Sequence, residues 1–295
     1  EVEYSRRLSE EEHRAMTAET ATAGLQRRCE ELERTTREVK KAADDRCCVV
    51  FLMLPIVITV AASFTSSSVY TLPPPEWSLR WYRSLQERSG LWEAVTLSLN
   101  LAVVSTAISL VLGTLAAVAV ARGRFRGREA IATFTVSPLM MPGLVVGVAL
   151  LQFFREIGLR DAYWSLLLGH IVITLPFVMR TLLASMSAFD FSLVDAARTL
   201  GLSYPKAILK VLVPNLAPAY LTGGLFAFLA SMDNYPISIF LTDARNKTLP
   251  IKMLQYLEEQ PDPSLAAMSS GLILMAVIAL VVGARTVGLN RMIQG

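Results

Sequence analysis

Few residues in this 295-residue chain have the type and spacing for covalent chemistry. No Gly-x-x-x-x-Gly-Lys-Ser/Thr loop is present, so no stretch offers the backbone cradle that a bound nucleotide phosphate needs. The histidines His13 and His170 stand far apart. His170 lies in an apolar run, a poor start for a Ser/His/Asp triad and better suited to an interhelical hydrogen bond than to metal. Cys29, Cys47 and Cys48 fit neither a metal-ligand spacing nor a disulfide framework. The adjacent pair reads as small apolar filler or, as a second reading, a lipidation site at a membrane edge. The expectation is a chain with no catalytic residue, no metal ligand and no cofactor of its own.

What remains is the chemistry of recognition, in two places. The polar stretch Ser192-Leu-Val-Asp195-Ala196-Ala197-Arg198-Thr-Leu200-Gly201-Leu-Ser203-Tyr-Pro205 leads into Val213-Pro214 between two apolar runs. Ser192 and Asp195 have capping-box spacing, with Asp where Glu is usual. A helix from Leu193 places Leu193, Ala196, Ala197 and Leu200 on one face. Gly201 suits a left-handed C-terminal cap, and Ser203 suits the N-cap of a second helix with Pro205 in its first turn. Two turns do not hold alone in water. The apolar face therefore needs a cover, either a groove on another protein or the chain's own spans and the lipid headgroups.

The second place is Asp233, beside Asn234, Tyr235 and Pro236 in an apolar run. A charge at membrane depth is costly unless it faces a cavity or a partner, and helix breaks mark binding sites in some transporters. One reading has Asp233 lining a path and attracting a cation, with Asn234 and Tyr235 beside it. The other makes it an interhelical partner or a solvated helix end.

These residues need elements to position them. The chain is 53% hydrophobic and 18% charged, against about a quarter charged in soluble domains, and its mean hydropathy is +0.45. Six runs approach or exceed the roughly 18 residues that cross a bilayer core: 48–68, 94–121, 130–154, 163–185, 212–241 and 265–288. The expected fold is an all-α polytopic membrane protein with six transmembrane helices. The lipid bilayer is one partner, and a net charge of +3 gives no argument for nucleic acid. Arg122, Arg124, Arg126 and Arg128 crowd one short loop, which places it on the cytoplasmic side. Alternation puts both termini and a loop at 190–212 on that side too, leaving 69–93, 155–162 and 242–264 outside.

Residues 1–46 form a separate polar segment before the membrane domain at 47–295, as a soluble helix or disordered tail. They are too long and too charged for a signal-peptide n-region, and the seam at Leu25, Leu32 and Val39 is too short for a coiled coil. Gly143 and Gly147 suit close helix packing, and Arg180 suits snorkelling to the headgroups. Trp77, Trp81 and Tyr82, after the stiff Pro73-Pro74-Pro75, suit an interfacial anchor or a surface that meets a binding protein.

The segment Asp195-Ala196-Ala197, with Gly201 and the later Val213-Pro214, resembles the EAA loop of permease subunits of binding-protein-dependent ABC importers, with Asp195 standing for the usual Glu. The resemblance extends over about 50–290, including Ser78-Leu-Arg-Trp81-Tyr82. Ser231-Met-Asp233-Asn234-Tyr235-Pro236 and Thr248-Leu249-Pro250 look most like the spermidine/putrescine branch. The resemblance implies the type I ABC importer transmembrane fold and a half-channel for a small solute, a polyamine first, in the bacterial cytoplasmic (inner) membrane. Asp195, Ala196, Ala197, Leu200, Gly201, Pro205 and Pro214 would couple to a cytoplasmic ABC ATPase dimer that binds the ATP and magnesium. A second, different permease subunit and a periplasmic or lipid-anchored solute-binding protein would complete the assembly. The rivals are an importer of another solute, such as an amino-acid derivative or a phosphonate, an ion-coupled secondary transporter, and a membrane scaffold.

Overall fold

The computed structural model describes residues 48–286 apart from Leu72, Arg124 and Gln260. The polar segment 1–46, its heptad seam and the end of the sixth expected span therefore lie outside the described residues. The chain divides into two units, Glu1–Thr59 and Val60–Gly295. Apolar helix α1, Cys48–Ser63, begins in the first; it is shorter than the expected run to residue 68 and too short to count among the long apolar helices. Cys48 is exposed and carries a free thiol.

Among its described residues the second unit is built of helices joined by turns and loops, with no strand and one isolated bridge between Thr65 and Trp77. Its elements are α2 (Arg80–Glu87), α3 (Leu91–Arg122), α4 (Arg128–Val136), a 3-10 turn (Ser137–Met140), α5 (Gly143–Glu156) and α6 (Ala162–Met186). Then follow α7 (Ser192–Thr199), α8 (Tyr204–Ala207), a π-turn (Ile208–Leu212), α9 (Val213–Asn215), α10 (Ala217–Met232), α11 (Ser238–Leu241), α12 (Leu249–Glu259) and α13 (Ser264–Thr286).

Among the described residues, three helices, α3, α6 and α13, are long and apolar enough to cross a membrane, and two bent pairs raise the number to as many as five. The second, fourth and sixth expected spans correspond to these three helices. The third and fifth do not form single rods. The third is α4 and its 3-10 turn followed by α5, bent by 111°. Pro142 is the cause: a residue before proline avoids the α region, and Met141 accordingly sits at φ −93, ψ 145. In the fifth, the chain from Tyr204 to Asn215 meets α10 at 81°, where Pro214 and Pro218 each lack the amide a continuous helix would use. The same run stops again at Met232, ahead of Pro236, which lacks another amide and disfavours a helical residue before it.

Helices α3, α6 and α10 form the central core. Ser109 of α3 hydrogen-bonds Thr174 of α6 at 2.7 Å, and Thr114 of α3 bonds Tyr220 of α10 at 3.0 Å. Rising residue numbers on α3 meet rising numbers on α6 and falling numbers on α10, so α10 runs antiparallel to the other two. Outside this core, α2 and α12 give structure to two segments that hydropathy alone reads as loops. Arg88 pairs with Asp262 at 2.6 Å and lies 4.9 Å over the Tyr256 ring, tying them together.

Candidate functional site

α10 carries one recognition element at each end. Its sixteen residues span about 24 Å, with the α7–α9 loop before it and the Asp233 break after it. The loop begins with Asp190. Its carboxylate accepts from the Ser192 amide at 2.9 Å and the Ser192 hydroxyl at 2.7 Å. The Ser192 hydroxyl and amide bonds together hold the Asp190 carboxyl below its usual range. This corrects the expected capping box: Ser192 is the first residue of α7, its side chain is spent on Asp190, and Asp195 faces elsewhere. Capping by Asp190 uses the same physics two residues earlier.

The C-terminal end follows expectation closely. Gly201 sits at φ +93, where an L side chain is strained. Its amide bonds the Arg198 carbonyl at 3.0 Å, and the Leu202 amide bonds the Ala197 carbonyl at 3.2 Å, the paired closure of a Schellman motif. Ser203 does take the N-cap position of α8, yet its side chain makes no cap bond. Pro205 at the second helical position has no amide to give it. Past α8, the π-turn absorbs the approach to Pro214, which leaves the Lys210 carbonyl without its helical donor. The Asn215 side chain donates to the neighbouring Val211 carbonyl at 2.7 Å.

The faces of α7 divide more sharply than the spacing suggests. Val194 (0% exposed) and Ala197 pack into one cluster with Met179, Leu182 and Met186 of α6 and with Leu212. Leu193, Ala196 and Leu200 face outward, Leu200 at 87% exposure and Leu193 at 49%. Ala197 thus belongs to the inward anchor rather than to the open face. Burying Val194 contributes about 1.5–3 kcal/mol to holding α7 in place.

Asp195 is held by a residue that local spacing does not pick out. Both of its carboxylate oxygens lie 2.5 Å from Nη2 of Arg122, the last residue of α3. Arg198, one turn on, is 3.7 Å from the same carboxylate. The Arg122 guanidinium also lies 5.6 Å over the Phe191 ring and 5.9 Å over Tyr204. Between α3 and the α8–α10 segment runs an apolar groove of about 780 Å³, lined by Leu115, Val118, Tyr204, Leu209 and Tyr220 among others. Arg122 stands out in the sequence only as one of four clustered arginines. A pair 73 residues apart has no local periodicity to betray it.

At the other end of α10, Asp233 is the C-cap, exposed, with its amide on the Leu229 carbonyl. Asn234 and Tyr235 are half-buried beside it. The Asn234 side chain accepts from the Ile237 amide at 3.1 Å, which starts the chain into α11. The break is stapled from behind by His170, which is buried on α6. Its Nδ1 lies 2.6 Å from Ser231 Oγ and its Nε2 3.1 Å from Ser238 Oγ, one serine on each side of the break. Ser238 gives its only proton to the Asn234 carbonyl at 2.6 Å. It must therefore accept from His170, which fixes the proton on Nε2 and leaves Nδ1 to accept from Ser231. The expected interhelical bond of His170 is real and double. Gly143 and Gly147 receive the same segment: a Cβ on either would come within 2.9 Å of Pro236. The two recognition elements therefore sit at opposite ends of α10, and no described contact brings Asp233 near Asp195.

Elsewhere, Trp81 is buried beneath Arg80, whereas Trp77 is 71% exposed, so the expected aromatic anchor divides between core and surface. Arg180 is exposed in a groove beside Thr181 and Thr222.

Residues 109–293 match the family described as the binding-protein-dependent transport system inner membrane component. The chain is 31% identical over 230 residues to the spermidine/putrescine transport system permease protein PotC of Escherichia coli K12, covering 78% of this chain and 87% of that one. It is 32% identical over 235 residues to the putrescine transport system permease protein PotI of the same strain, covering 77% and 82%. A bacterial ABC transporter involved in the import of the acidic polysaccharide alginate superposes with a TM-score of 0.60 at 17% identity, over 87% of this chain and 94% of that one, which speaks to fold alone. The matched residues begin within α3, run beyond α13 and include both elements, and on that basis the chain belongs to the binding-protein-dependent transport system inner membrane components.

Proposed function

We propose that the chain is one permease subunit of an ABC importer in the bacterial cytoplasmic membrane, supplying half of the path for a polyamine such as putrescine or spermidine. In this reading it crosses the bilayer six times with both termini in the cytoplasm. The α7 loop docks on a cytoplasmic ATPase dimer, which holds ATP and magnesium and performs the hydrolysis; the permease chain does no chemistry. A second permease subunit, different from this one, and a periplasmic or lipid-anchored binding protein complete the importer.

The observation that carries the reading is the divided face of α7. A two-turn helix is anchored by Val194 and Ala197 while Leu193 and Leu200 are held out. Apolar side chains fixed in an exposed position lose hydration cost only when a partner covers them. Leu193, Ala196 and Leu200 form the docking face, and Ala197, Gly201, Pro205 and Pro214 hold the loop in shape behind it. Asp233, Asn234 and Tyr235 line the path, with the exposed carboxylate drawing in a cationic solute. Similarity to permeases named for spermidine and putrescine supports that cargo.

Uptake of labelled putrescine into membrane vesicles tests the class. Transport that requires ATP hydrolysis and survives collapse of the proton gradient supports an importer. Uptake that persists with hydrolysis blocked and the gradient intact contradicts it and restores the ion-coupled rival.

A further inference from the structure

We infer that Arg122 is the positioning residue that carries movement of α7 into the membrane core, by way of Asp195. The inference rests on the coupling reading above and adds to it the point at which force enters the spans. α7 touches the core in two ways. One is apolar: Val194 and Ala197 seat against α6 and give it a smooth bed. Apolar contact resists separation without fixing position along the interface. The other is the ion pair to α3, which is directional and fixes both distance and register.

The pair is built to survive displacement. Both Asp195 oxygens converge on Nη2, while Nη1 of the same guanidinium is buried with no hydrogen-bond partner among the described residues. The second nitrogen is thus in reserve: a carboxylate that shifts can engage it in a two-nitrogen fork, the geometry a guanidinium favours. The rings of Phe191 and Tyr204, 5.6 and 5.9 Å from the guanidinium, travel with the same loop and add to its hold on the arginine. They lie just before α7 and in α8, so the arginine grips the loop at three points. α3 in turn bonds α6 through Ser109 and Thr174, and α10 through Thr114 and Tyr220 and through Ser105 and Ser231. Ser231 borders the Asp233 break. A pull on Arg122 therefore reaches the proposed path through one rigid helix.

The side chains are 30% and 48% exposed, so the pair contributes little to folding, and its removal leaves the fold able to form. The test uses the assembled importer in proteoliposomes with labelled putrescine, reading ATP hydrolysed per putrescine imported alongside ATPase co-purification. Arg122→Ala is expected to raise the ATP-per-putrescine ratio about tenfold, within the usual range for coupling between sites, with the ATPase still attached. Arg122→Lys keeps charge on a single nitrogen and is expected to raise it about threefold; it carries the test if the alanine variant does not assemble. Exchanging the partners, Arg122→Asp with Asp195→Arg, is expected to bring the ratio most of the way back. An unchanged ratio in Arg122→Ala, loss of ATPase attachment in an assembled variant, or an exchange as defective as the single change would overturn the inference. Failure of the coupling reading itself shows separately, as an ATPase that stays attached when the α7 docking face is destroyed.

Discussion

The two ends of α10 solve one problem in opposite ways. Each interrupts a helix where backbone groups need partners, and each uses a short polar side chain to restart it: Asp190 before α7 and Asn234 before α11. Each is also anchored inward. The anchor of α7 is apolar, through Val194 and Ala197 on α6. The anchor of the break is polar, through His170 and two serines. What they leave exposed is reversed: leucines at the first, a carboxylate at the second. A surface meant for another folded protein wants covered apolar area, whereas a surface meant for a small cation wants a charge in reach of water. On the proposed function, the two ends of α10 therefore serve a docking face on one side and a solute-attracting carboxylate on the other.

Substitutions that damage one end and spare the other sharpen this contrast. The largest effect belongs to Val194→Asp. A charge at a fully buried position without a partner costs about 3–5 kcal/mol, enough to release α7. Limited proteolysis should then cut the 190–212 segment, with the break untouched. Next is His170→Leu, which takes one hydrogen-bond partner from each of Ser231 and Ser238 and costs about 1–3 kcal/mol. Uptake should fall while the α7 segment keeps its protease resistance.

Gly201→Ala places a side chain at φ +93 and costs about 1–2 kcal/mol. Its thermal midpoint should drop by a few degrees and its ATP-driven uptake should weaken. Asp233→Asn removes the exposed charge with almost no change in shape. It should raise the KM for putrescine about fivefold, roughly 1 kcal/mol, and leave ATP hydrolysed per solute as it was. A KM that does not move would take Asp233 off the path and break the comparison at that end.

Much of the loop was legible in the chain. Gly201 announces its own left-handed cap, and the apolar spacing of Leu193 and Leu200 identifies the open face, because both signals are local. Asp190 was missed because a carboxylate two residues before the helix competes with Ser192 for the same role, and the sequence does not rank them. The proline-rich runs at 130–154 and 212–241 read as spans on hydropathy, which counts apolar residues and is blind to missing amides. Pro142, Pro214, Pro218 and Pro236 carry that information instead. The Arg122–Asp195 pair and the His170 staple join residues 73, 61 and 68 positions apart. Contacts at that range depend on how α3, α6 and α10 pack, and no pattern within one element encodes them.

The central claim is that the outward face of α7 is where an ATPase docks. Co-purification of the permease complex with its ATPase, comparing the native chain with Leu193→Asp plus Leu200→Asp, tests it most directly. Both positions are exposed, so the fold tolerates the change. The account predicts that the ATPase is lost, at least tenfold, from a complex that is otherwise intact in the membrane. An ATPase that co-purifies undiminished with the double variant would contradict it.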